Sequence, residues 1–157
     1  MICKRLGIGA ALAAGTLAAG LALAPGAAAV VPQTATIVAD CGIYGGGEAT
    51  LTATQDGTGA TISVSSSEIT APLALAEDSI TSTLTLTKAS GGTTAFTGTE
   101  NPAMAAGDGV TVGPLNGTVA AGDSLEAFGG TLKMVIFGIT VTCTAEGPQS
   151  PGPFVYE

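Results

Sequence analysis

The chain has 157 residues, with 12 acidic side chains against 4 basic ones and no histidine. The missing histidine excludes Ser-His-Asp and Cys-His catalysis, and the acidic balance argues against nucleic acid, whose binding rests on neutralising phosphates with Lys and Arg. The length suits one domain with a proper core.

In chain order, Lys4 and Arg5 precede an uncharged run of 19 residues, Leu6 to Ala24, dominated by Ala, Leu and Gly. Pro25-Gly26 then breaks any helix, and Ala27-Ala28-Ala29 is the small-residue pattern read by signal peptidase. The expected organisation is therefore a signal-peptide helix over 1–29, a β domain over 30–145, and a Pro/Gly-rich, loose C-terminal tail over 146–157. A retained membrane anchor is the alternative, because a spanning helix needs roughly 20 apolar residues. The Ala/Gly content of the run and the adjoining A-x-A site favour cleavage after Ala29, within one or two residues. Lys4-Arg5 is not a twin-arginine pair, so the general secretory route is expected. Cys3 precedes the apolar run instead of ending it, which is not the lipoprotein arrangement.

Cleavage takes Lys4, Arg5 and Cys3 away. The remaining 128 residues (157 less 29) hold two lysines, Lys88 and Lys133, against all twelve acids, a net charge of −10. Thr, Gly, Ala, Val and Ser dominate, and β-branched side chains suit a pleated surface better than a helix. Cys41 and Cys143 are left as an even pair, which an oxidising compartment turns into a structural disulfide. A zinc site would lack ligands. Closing a loop of about 100 residues is worth about 4–5 kcal/mol in the chain-entropy account.

Apolar and hydroxyl residues alternate along most of the mature chain, with turn signals between the runs. Thr34 to Cys41 is followed by a glycine-rich turn. Ala49, Leu51 and Ala53 then pair as a hairpin with Ala60, Ile62 and Val64 across Asp56-Gly57-Thr58-Gly59. Ile69 to Leu75 is interrupted at Pro72 and reads as an edge strand or a crossing. Ser79 to Lys88 is the cleanest strand, with Ile80, Ser82, Leu84 and Leu86 on one face. Thr93–Thr97 follows, then an irregular stretch Gly98–Gly109 with a turn at Asn101-Pro102. Val110–Val112 and Leu115–Val119 are short strands, Leu125–Phe128 is weak, and Thr131–Phe137 and Ile139–Thr144 close the domain across Gly138. Eight or nine short antiparallel strands predict an all-β sandwich or barrel, with an immunoglobulin-like β-sandwich favoured. Its disulfide would staple sheet to sheet, and Phe96, Phe128 and Phe137 would be its bulky core fillers.

No catalytic, cofactor-binding or metal-ligating residue stands out. Lys88 and Lys133 lie on outward faces of strands, and neither is in an S-x-x-K setting. Glu77-Asp78, the only adjacent acids, read as a solvated turn and not as a glycosidase pair. Gly45-Gly46-Gly47 lacks the Lys-Ser/Thr of a phosphate loop. Asp56-Gly57-Thr58-Gly59 and Gly107-Asp108-Gly109 have some flavour of calcium loops but fit ordinary turns better.

Cys41, the run Gly117-Thr118-Val119-Ala120-Ala121-Gly122-Asp123 and the ending Val141-Thr142-Cys143-Thr144 resemble the uncharacterised secreted Ala/Gly/Thr-rich, one-disulfide β-sandwich proteins of actinobacteria. That resemblance implies export, the fold and the disulfide, and no activity. A looser likeness is to the secreted apoproteins that carry enediyne antibiotics, which are small and acidic but usually have two disulfides. The expected function is that of a secreted, non-enzymatic binding or structural module without cofactor, in the medium or at the cell envelope. Its partner would be an extracellular protein, a cell-wall polymer or a small ligand, with the membrane touched only through an uncleaved signal. The alternatives are a small-ligand carrier or a carboxylate-dependent glycan-active enzyme.

Overall fold

A computed structural model describes residues 29–157. The expected export segment lies outside the described residues except for Ala29. Nine strands form: β1 (Thr34–Asp40), β2 (Gly46–Asp56), β3 (Gly59–Thr70), β4 (Thr81–Lys88), β5 (Thr93–Gly98), β6 (Gly109–Thr118), β7 (Ser124–Ile136), β8 (Ile139–Ala145) and β9 (Phe154–Val155). A 3-10 turn, Gly42–Tyr44, sits between β1 and β2. All pairings between strands are antiparallel.

The period-2 alternation explains the strands, because each run has one face to bury. On β4 and the residue before it, Ile80, Ser82, Leu84 and Leu86 are all buried, as the alternation requires. The hairpin of β2 and β3 turns at Gly57-Thr58 with Asp56 opposite Gly59, and Gly57 supplies the positive φ (61°). The two short strands expected around Gly113-Pro114 are one strand, β6, whose register against β3 slips between Ile62 and Val64. Gly113 makes that bulge possible: its φ is 111°, and a Cβ there would come 2.8 Å from Ser63 Cα.

The strands run in the order β4-β5-β6-β3-β2-β1-β8-β7, and β4 pairs with β7 to close the ring. In place of the expected immunoglobulin-like sandwich of two separate sheets, this is a closed eight-stranded barrel with β9 as an added strand. Two seams are narrow. β5 meets β6 through one residue pair, Thr97 with Asn116, and β1 meets β8 through two, Ala39 with Ala145 and Asp40 with Thr144. Closure runs through β7, whose residues 131–135 pair with β4 while residues 132–136 pair with β8 on the other side. Its register against β4 shifts between Thr85 and Thr87, at Gly130, where a Cβ would collide with the Thr85 carbonyl oxygen. Bulges and glycines of this kind curve a sheet until its edges meet.

The C-terminal residues expected as a loose tail complete the wall. Glu146 N–H donates to Val38 O, Ser150 exchanges two backbone bonds with Thr36, and Val155 does the same with Val31. β9 pairs with the start of β7. Phe154 and Tyr156 are fully buried beside Leu51, Ile62, Ile80, Leu86, Phe96, Leu115 and Leu125. Of the three phenylalanines expected inside, only Phe96 is there. Phe128 follows inward-facing Leu125 and Ala127 and so points outward, and Phe137 falls in a turn.

Residues 71–80 and 99–108 cross beside the barrel, joined by a bridge between Leu75 and Met104. Asn101 is their hub. Its buried side-chain amide accepts the N–H groups of Ser79 and Ile80, each at 2.8 Å, and donates to the carbonyls of Ala76 and Pro102, each at 2.9 Å. Asn101→Ala is expected to cost about 2–4 kcal/mol, because several groups here, the buried Ile80 N–H among them, would lose their partner together. A urea titration followed by far-UV circular dichroism checks this, and a loss under about 1 kcal/mol would mean that water replaces the amide.

Candidate functional site

The two cysteines are joined. Cys41 follows β1, Cys143 lies on β8, and their Cα atoms are 4.0 Å apart across a sequence separation of 102. The bridge lies beside the two-pair seam between these strands and is buried on both sides.

The polar residues weighed as chemical candidates do not converge. Glu77 and Asp78 are exposed in a turn. Asp108 uses its carboxylate to accept Ala105 N–H, and Asp123 to accept Ala120 N–H, so both serve their own turns. No group of three or more acids or cysteines able to hold a metal ion occurs among the described residues. Lys88 lies 3.7 Å from Asp123, and Lys133 is exposed on β7. The Tyr156 phenol is held well above its ordinary pKa, first by burial and then by the nearby Asp123 carboxylate. Its hydroxyl, like those of Ser82 and Thr94, is buried without a hydrogen-bond partner.

Two hollows bear on ligand binding. The barrel interior contains an apolar cleft between Ile37, Leu51, Val64, Leu84, Val110 and Leu132, with a volume of about 40 Å³. That is room for a few waters, whereas small-molecule sites run to roughly 300–1,000 Å³. A polar groove of about 450 Å³ lies over Glu48, Thr50, Ser65, Ser67, Glu68 and Thr111. Two of its side chains are engaged within the fold: Glu68 carboxylate accepts Glu48 N–H, and Ser66 hydroxyl donates to Glu48 O. The same hydroxyl accepts the N–H groups of Glu68 and Ile69. These bonds hold the bulge at the end of β3.

The exposed apolar residues are more informative. The hairpin of β7 and β8 turns at Phe137-Gly138, with Ile136 opposite Ile139. Both turn residues have positive φ, 51° and 77°. That is the type I′ geometry, whose usual occupants are Asn-Gly or Asp-Gly. A phenylalanine at the first position is strained, and here its ring is 70% exposed. Val135 and Ile139 beside it are also exposed. The 3-10 turn packs against β8 and presents Ile43, 93% exposed, together with Tyr44. The sequence signal for this surface is the pair of runs meeting at Gly138, since a two-residue turn there must take Phe137 out of the strand.

No family model, curated protein or solved structure matches the chain.

Proposed function

We propose that this chain is an exported, non-enzymatic β-barrel module that acts through contacts of its surface, with the β7–β8 turn and the neighbouring 3-10 turn as the contact region. Phe137 carries the reading. A large aromatic ring stands in solvent on a backbone conformation that disfavours it, and a strained position of this kind points to a role outside folding. Export is supported by the sequence features of residues 1–29, and the disulfide is compatible with it. The partner would be a protein or polymer of the cell envelope offering an apolar face, since a domain of charge −10 is repelled by anionic surfaces. The small interior volume weighs against a carrier role, and the dispersed carboxylates weigh against glycan hydrolysis.

Phe137→Asn separates contact from stability. Asn tolerates the left-handed conformation, so the variant is expected to be more stable than the parent by about 1 kcal/mol. It should nevertheless lose most co-sedimentation with purified envelope sheets. Equal sedimentation of the two proteins would overturn the reading. So would a glycan hydrolysis by the pure protein that a single acid substitution abolishes.

A further inference from the structure

The wall of the barrel has a stretch of β8, beside the 3-10 turn that packs against this strand, whose outward backbone groups have no partner among the described residues. A two-residue hairpin closes on a pair that exchanges both backbone bonds, here Ile136 and Ile139. Alternation then turns Ile139, Val141 and Cys143 toward β7, and aims the N–H and C=O groups of Thr140 and Thr142 away from it. β1 would be the neighbour on that side, but it pairs with β8 only at Ala145 and Thr144. Beyond Cys41 the chain leaves the ladder, though it stays beside β8 as the 3-10 turn: Asp40 Oδ1 accepts Gly42 N–H at 2.8 Å, and Gly42 takes a φ of 65°. On β7 these residues stand opposite Val135 and Lys133, and on the side away from β7 no hydrogen-bond partner for the backbone of Thr140 or Thr142 is present among the described residues. The lower part of the same wall is treated differently, since residues 146–150 cover the edge of β1 and Val31 covers β9.

We propose that this edge pairs antiparallel with the β8 edge of a second copy of the chain, making a two-fold dimer. Three observations favour a second copy. Phe137 to Thr144 contains no charged residue, in a domain carrying −10, so two copies can approach here without setting acid against acid. The edge also lacks the lysine, proline or bulge that usually protects an exposed strand. An antiparallel strand edge is its own complement about a two-fold axis, and alternating Thr with Ile and Val suits both sides equally. Pairing would also bring exposed Ile139 into the contact. The inference stands apart from envelope binding, and its test uses the pure protein alone.

The test is sedimentation equilibrium of residues 29–157, which hold the whole barrel. A contact of a few residues per copy is weak, so loading runs from roughly 5 μM to roughly 1 mM. The parent mass should rise with concentration toward that of two chains. Thr142→Pro removes an N–H that serves only the free edge, so it should stay at the mass of one chain with an unchanged thermal midpoint. Should that variant fail to fold, Thr140→Lys decides, since its exposed side chain sets like charges across the axis. It should weaken association at least tenfold. A parent that remains a single chain at 1 mM overturns the proposal, even if it captures a foreign strand or lipid vesicles. A folded variant that dimerises like the parent overturns it equally.

Discussion

Removing the disulfide, by the pair Cys41→Ala and Cys143→Ala or by reduction, is expected to lower the unfolding free energy by about 4–5 kcal/mol. Two features make this one of the largest effects available in the molecule. The bridge joins residues 102 apart, so reduction releases nearly the whole domain from one closed loop in the unfolded state. It also lies at a seam where β1 and β8 share only two residue pairs, so little backbone pairing remains there to hold the ring shut. Domains of this size have about 5–15 kcal/mol to lose, which brings the reduced protein close to unfolding. Urea titrations with and without reductant measure the change. A difference below about 1 kcal/mol would mean that the C-terminal residues along β1, and not the bridge, keep the ring closed.

Phe154→Ala should cost about 3–5 kcal/mol, the usual consequence of emptying a core position occupied by an aromatic ring. Phe154 is completely buried, and β9 is held by its pairing with Ser124 and Leu125 of β7. Loss of the ring would weaken this short strand and with it the backbone bonds between Val155 and Val31. Phe128→Ala is the matched control. Its side chain is about half exposed, so the change should stay within about 1 kcal/mol. Thermal and urea unfolding of both variants provide the comparison, and similar losses from the two would contradict the burial of the C-terminal residues.

The strands of this barrel were legible because their signal is local. Thr or Ser alternates with Ala, Leu, Ile or Val at period 2 through much of β2, β3 and β4, and a chain with one face to bury can place such a run only one way. The disulfide was legible for a different reason, since the expected removal of a leader would leave two cysteines, and the chain has no histidine to compete as a metal ligand. The candidate contact surface was not. Phe137 reads as a core residue by hydrophobicity alone, and only the two-residue turn with positive φ at both positions puts it outside. The role of Asn101 was hidden in the same way. Its partners Ser79 and Ile80 are 22 and 21 residues away, and nothing near Pro102 announces them.

Composition and alternation thus settled that this is an all-β, acidic, one-disulfide domain, because those properties add up residue by residue. Closure into a single ring, the burial of Phe154 and Tyr156, and the free edge along Thr140 and Thr142 follow from which strands meet. Those meetings are set by β7 pairing with β4 on one side and β8 on the other and by β1 turning away at Gly42. Pairing between residues as far apart as Ala39 and Ala145 leaves no periodic trace in either segment, so it appears only when the chain is folded.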